Sequence, residues 1–197
     1  MTETKATRLS LFVDALNGEI DRTGHNEELF LRKAATLLGD LVAHDDWLSD
    51  EFCAPHPDRY QQYLLFRDPG ERFSIVSFVW GPGQQTPIHD HTIWGMVGML
   101  RGAEMSQRFE LRDNKPVAGI EEVLNPGEVL TFSPLTGDIH RVRNAFSDRV
   151  SVSIHVYGGD IGKIQRHIYD EMGAMKIFMS GYSSDASIDS SMEVIVE

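Results

Sequence analysis

The chain has 197 residues, a formal net charge of −12 and a pI near 5.0. That acidity weighs against a nucleic-acid or anionic-membrane partner, since either needs a concentration of Lys and Arg that this sequence lacks. A content of 41% hydrophobic and 9% aromatic residues suits one folded domain with a substantial core. Cys53 is the single cysteine and can form no intramolecular disulfide, and neither a signal peptide nor an apolar membrane span is legible, so a cytoplasmic protein is expected.

Residues 1–57 read as helical. Leu9, Phe12, Val13, Leu16 and Ile20 recur at steps of three and four and paint one apolar stripe. Asn26 is placed to cap a second helix that carries Leu29, Phe30, Lys33, Leu37, Leu38 and Leu41. Over 58–180 the pattern changes to short runs rich in Val, Ile, Phe and Tyr: "RYQQYLLF", "RFSIVSFVW", "MVGMLRG", "EMSQRFEL", "EEVLNPGEVLTF", "HRVRNAF", "RVSVSIHVYG" and "QRHIYD". Turn-forming clusters such as "DPGE", "GPGQ", "RDNKP" and "PLTGD" separate them, which predicts an all-β sandwich or barrel. Residues 181–197, rich in Ser and Asp, read as a mobile or loosely docked tail of the same single domain.

Within the β region, "TPIHDHTIWG" sets His89 and His91 two residues apart. Alternate side chains of a strand share a face, so both imidazoles point to one side and Asp90 to the other. A bare His-x-His is an ordinary surface pattern, but the frame around this one is specific. Gly83 precedes His89 by a gap of five residues, Gly95 follows His91 after three residues, and Gly102 follows after six more. A second frame runs through Gly127, Pro134, Gly137, His140 and Asn144. The two frames resemble the paired motifs of the cupin superfamily, with Gly95 where a glutamate normally stands. The resemblance implies a double-stranded β-helix, a jelly-roll-like barrel with the N-terminal helices packed on it, and a metal held by His89, His91 and His140. Three neutral imidazoles suit iron, zinc, copper or nickel, and without a carboxylate ligand the metal's charge favours an anionic ligand such as a thiolate.

Three histidines with glycine for glutamate are similar to the cysteine dioxygenase family, the thiol dioxygenases among cupins. "SVSIHVYGG" adds support: Ser153, His155 and Tyr157 alternate along one strand, matching the family's Ser-x-His-x-Tyr arrangement beside its iron. The resemblance extends along nearly the whole chain and implies Fe(II), one per chain, with O2 added to the sulfur of a small thiol to give a sulfinate. Where the mammalian type carries an arginine, "YQQYLL" has Gln62, next to Tyr60; where that type has its cross-linking cysteine, this chain has Gly95. No thioether to Tyr157 is therefore expected. This pattern resembles the bacterial, glutamine-type 3-mercaptopropionate dioxygenases, and it makes Arg166 in "KIQRHIY" the carboxylate partner, with Gln62 and Tyr60 beside the substrate.

Cysteine and mercaptosuccinate stay open as substrates at this point, with Arg59, Arg141 and Arg143 as candidate second cations. A different metallocupin or a non-catalytic cupin also stays open, and the sequence leaves the oligomeric state undetermined.

Overall fold

The structure is a computed structural model, and it describes residues 7–183. Two helices come first, α1 (Arg8–Thr23) and α2 (Glu27–Val42). Each begins where a short polar side chain satisfies a free backbone amide: Thr7 accepts from Ser10 N, and Asn26 accepts from Leu29 N. The buried stripe of α1 is Phe12, Val13 and Leu16, as the periodicity predicts. On α2 the buried face is Phe30, Leu31, Ala34, Leu38, Leu41 and Val42, so Lys33 falls outside the stripe and is exposed. One 3-10 turn, Asp50–Cys53, leads into the β region.

Eleven strands follow among the described residues: β1 (Gln61–Arg67), β2 (Ser74–Trp80), β3 (Ile88–His89), β4 (Gly95–Arg101), β5 (Glu104–Arg112), β6 (Lys115–Leu124), β7 (Val129–Phe132), β8 (His140–Asn144), β9 (Ser151–Tyr157), β10 (Arg166–Tyr169) and β11 (Met175–Phe178). They form two antiparallel sheets, one ordered β1-β2-β9-β4-β7 and the other β11-β10-β3-β8-β5-β6. Two antiparallel sheets with the helices packed on the first form the double-stranded, jelly-roll-like arrangement that the sequence resemblance implies. Strand β6 begins at Lys115, well before the run legible from Glu121, because Pro116 and Gly119 obscure it. Both are tolerable there, since β6 is the edge of its sheet. Asp113 and Asn114 form the two-residue tip of the β5–β6 hairpin, both at positive φ (52° and 60°), which a tight hairpin turn requires.

The first sheet is buried on both faces, and its two faces differ in kind. Ile75, Val79, Met96, Leu100, Val152, Ile154 and Val156 pack with the helices in one apolar cluster. Val76, Phe78, Trp80, Val97, Met99 and Tyr157 join Phe132 and Val142 in a second cluster inside the barrel. The helix comes close to the sheet at Gly98, where an added Cβ would lie 2.9 Å from both Leu38 and Val42. Burying these side chains contributes roughly 1.5–3 kcal/mol each.

The expected tail is different at its start. Tyr182 is buried, its hydroxyl donating to Asp160 and accepting from Gly162 N. Ser183 pairs with Gln62 of β1, donating from its amide to Gln62 O at 2.8 Å and accepting from Gln62 N at its hydroxyl at 2.9 Å. Residues 181–183 are thus docked on the barrel, because they bring a large aromatic and backbone partners to an open strand edge. The remainder of the tail, 184–197, lies outside the described residues.

Candidate metal centre

His89 ends β3, and its cross-strand partner on β8 is His140. His91 lies just past the end of β3, so the two-residue repeat alone does not position it. Asp138 holds that segment instead, accepting from the backbone amides of His91 (2.9 Å) and Thr92 (3.0 Å). The three imidazoles are buried, with ring centres 4.8–4.9 Å apart, and their candidate ligand atoms all lie within 4.8 Å of one another. Each ring has its Nδ1 engaged by an oxygen: Pro87 O for His89 at 3.0 Å, Asp138 O for His91 at 3.2 Å, and Ser106 Oγ for His140 at 3.2 Å. A backbone carbonyl can only accept, so His89 and His91 carry the proton on Nδ1, which leaves Nε2 as the free lone pair. Burial, with the positive charge of Arg166, pushes His89 down to about 4, and burial with neighbouring imidazoles pushes His91 and His140 well below the usual histidine range. All three are neutral near pH 7, the ligating form. A set of three imidazoles with oriented second nitrogens fits a borderline transition-metal ion and not Mg²⁺ or Ca²⁺, which take oxygen ligands.

Gly95 has a steric reason. A Cβ there would lie 2.3 Å from Phe132 Cζ and 3.1 Å from the Tyr157 ring, so neither a glutamate nor a cysteine side chain fits without moving them. Phe132 fills that space and packs on His91, ring centres 4.3 Å apart. Cys53, in the 3-10 turn, hydrogen-bonds Ser49 O and packs with the helix-side cluster, away from Tyr157 in the barrel.

The alternation of β9 sends Ser153, His155 and Tyr157 into the barrel, where they form a continuous chain: Ser153 Oγ to His155 Nε2 at 2.9 Å, and His155 Nδ1 to Tyr157 Oη at 2.8 Å. Trp80 of β2 donates to Ser153 Oγ at 3.0 Å. Burial pushes His155 down to about 3 and the Tyr157 phenol well up, so both are neutral.

Arg166 begins β10 and is 3% exposed. Its Nη2 donates to Ser180 Oγ at 2.6 Å and its guanidinium lies 4.6 Å from the Phe178 ring centre, while Nε has no partner. Among the described residues no carboxylate lies within ion-pairing distance of it. Tyr60 stacks on Phe78 at 5.9 Å, and Gln62 is partly buried on β1. Tyr60, Gln62, His89, His140, His155, Tyr157, Arg166 and Ser180 all line one small pocket, whose remaining lining includes no Asp or Glu. His91 and Ser153 stand behind that lining. The other cations considered lie elsewhere: Arg141 and Arg143 face out to Gln107 and Glu121, and Arg59 is exposed.

Asp90 points away from the imidazoles, yet it is buried and accepts from His167 N, His167 Nδ1 and Tyr169 Oη, each at 2.8 Å. It therefore ties β10, and with it Arg166, to the histidine segment. Trp94 packs edge-on against Phe30 of α2, and Met96 is core. Sequence reasoning missed Trp80, Ser106 and Ser180. Of these only Ser106 left a signal, as a small polar residue at an inward position of "EMSQRFEL".

A family profile described as cysteine dioxygenase type I matches residues 43–171, a stretch holding every pocket residue named above except Phe178 and Ser180. It starts after α2, so the likeness is narrower than the nearly whole-chain extent the sequence suggested. Cysteine dioxygenase type 1 of Danio rerio is 28% identical over 117 residues, 57% of this chain and 56% of its own length. The Homo sapiens protein of that name is 30% identical over 103 residues, half of each chain. The chain thus matches about half the length of these curated relatives. Among solved structures, a double-stranded β-helix protein from Klebsiella pneumoniae aligns at 18% identity and TM-score 0.47, covering 59% of this chain and 93% of that one. A cupin superfamily protein from Desulfitobacterium hafniense aligns at 14% and 0.45, covering 59% and 94%. Among the described residues no helix is long and apolar enough to cross a membrane. The match over residues 43–171 makes this chain a member of the cysteine dioxygenase type I family.

Proposed function

We propose that this chain is a non-heme iron thiol dioxygenase that converts a small thiol carboxylate, 3-mercaptopropionate, to its sulfinate. The observation that carries the reading is Arg166: a buried guanidinium with a free Nε and no carboxylate partner among the described residues, lining the same pocket as His89 and His140. A buried cation without an anion is costly, and a substrate carboxylate would supply the missing partner in a two-pronged geometry.

His89, His91 and His140 would hold Fe(II), which when bound supplies the Lewis acidity that keeps a thiol as thiolate and the electrons that activate dioxygen. The protein's own residues do the positioning. Arg166, supported by Ser180, anchors the carboxylate; Gln62 and Tyr60 border it. Holding thiol and carboxylate at two fixed points makes the sulfur approach the imidazoles in one orientation. Tyr157, fixed by His155 and Ser153, presents a neutral hydroxyl to the pocket, and the aromatic lining of Phe78, Trp80 and Phe178 limits water.

Two features favour 3-mercaptopropionate. Cysteine would bring an ammonium group, and no Asp or Glu lines the pocket to receive it. Mercaptosuccinate would bring a second carboxylate, and Arg166 is the one Lys or Arg in the lining among the described residues. The test is oxygen uptake by anaerobically iron-loaded protein with the three thiols in parallel, counting sulfinate against oxygen consumed. One sulfinate per dioxygen with 3-mercaptopropionate is expected. The same yield with cysteine would move the substrate assignment, and no uptake with any thiol would overturn the enzyme reading.

A further inference from the structure

One wall of the pocket lies beyond the matched stretch 43–171. Strand β11 ends at Phe178, and residues 179–183 then cross from the edge of one sheet to the edge of the other, from β11 to β1. Their path is fixed at three points. Gly181 N donates to Gly162 O at 3.0 Å, and Ser183 joins Gln62 of β1 through both its amide and its hydroxyl. Between them the buried Tyr182 donates its hydroxyl to Asp160 and accepts from Gly162 N. Asp160 is in turn paired with Arg67 of β1 and with Lys163. An added Cβ at Gly162 would run into the Tyr182 ring, so this close seat needs the glycine.

Held this way, the segment sets Ser180 against Arg166. The guanidinium lies 4.6 Å from the Phe178 ring centre and gives its Nη2 to Ser180 Oγ at 2.6 Å. A guanidinium cannot accept a hydrogen bond, so Ser180 is the acceptor in that contact and its own O–H hydrogen is left over. Among the described residues that hydrogen has no acceptor, and Arg166 Nε has none either. Both residues line the same pocket, so two donors, one charged and one neutral, stand side by side without acceptors.

We propose that Ser180 is a substrate-binding residue: its hydroxyl donates to one oxygen of the thiol carboxylate while Arg166 Nε donates to the other, so that serine and arginine form a single clamp. The proposal rests on the thiol dioxygenase reading for the identity of the ligand, and on the contact between Ser180 and Arg166 for the clamp itself. A hydroxyl that already accepts from a cation is a stronger donor, and the same contact keeps both donors in one orientation before substrate arrives. The clamp is also selective. A thiol that ends in a methyl or an ammonium group offers neither donor an acceptor, and leaving buried donors unpaired is costly.

The test is anaerobic titration calorimetry of the full-length, iron-loaded chain with 3-mercaptopropionate and with 1-propanethiol, in which a methyl group replaces the carboxylate. Wild type should favour 3-mercaptopropionate. Ser180→Ala should weaken 3-mercaptopropionate about 10-fold and leave 1-propanethiol within about twofold of wild type. Ser180→Thr, which keeps the hydroxyl, should restore binding of the carboxylate. In steady-state oxygen uptake the Ser180→Ala loss should fall on KM more than on kcat. Unchanged 3-mercaptopropionate binding in the folded alanine variant would overturn the proposal, and so would equal weakening of both thiols, which marks a merely structural residue. No oxygen uptake with bound 3-mercaptopropionate, while the carboxylate-selective loss in Ser180→Ala persists, would count against the dioxygenase reading and leave the clamp standing.

Discussion

Strand β9 has two faces that obey different rules. Val152, Ile154 and Val156 turn outward to the helices and are almost wholly excluded from water. Ser153, His155 and Tyr157 turn inward and are equally buried, yet every polar atom of their side chains is in a hydrogen bond. The outer face is stabilised by apolar area, which tolerates approximate shape. The inner face depends on a chain of partners, where losing one strands the next. Depth of burial is the same on both sides, so burial cannot tell a core from a site; the chemistry of what is buried does.

Replacing an inward residue of the histidine cluster should produce the largest effect. His140→Ala is expected to reduce metal affinity by about 100-fold or more, read as iron stoichiometry after dialysis, while far-ultraviolet circular dichroism stays as in the wild type. Full iron occupancy in that variant would remove His140 from the cluster. On the outer face, Leu38→Ala, beneath which Gly98 leaves no slack, should destabilise the fold by about 2–5 kcal/mol in urea melts. Its iron stoichiometry should not change, and a parallel loss of metal would show that the two faces are coupled.

The smallest effect belongs to a polar contact outside both faces. In the β1–β2 connection Asp68 accepts two bonds from Arg72, Nε to Oδ2 and Nη2 to Oδ1, each 2.8 Å, with the Gly70 amide as a further donor. The Arg72 guanidinium beside it holds the Asp68 carboxyl down at about 2. The folded-state value is lower than that of an unfolded aspartate, so the contact stabilises fully above the ordinary carboxylate range and is lost as pH falls through about 2. Because Arg72 is 40% exposed, the contribution is roughly 1–2 kcal/mol. The difference in melting temperature between wild type and Asp68→Asn should be constant at neutral pH and shrink in strong acid; a difference that grows on acidification would contradict the assignment.

Much of this architecture follows from local rules. The helices are legible because their apolar residues repeat every three or four positions and Thr7 and Asn26 cap them. The inward set Ser153, His155 and Tyr157 is legible because strand periodicity is two. His89, His91 and His140 were found through the spacing of the glycines around them, which a barrel needs at its turns. Strand β11 and most of β6 were not legible, since edge strands carry exposed, mixed residues without strict alternation.

What the chain order alone determined, then, is the period of each element and the residue types it offers to each face. Tertiary structure decided the rest, because it depends on which strands become neighbours. Only the pairing of β3 with β8 sets His89 opposite His140, and only Asp138, 47 residues away, holds His91 beyond its strand's end. Such contacts are made by packing between segments distant in sequence, and no local pattern encodes them.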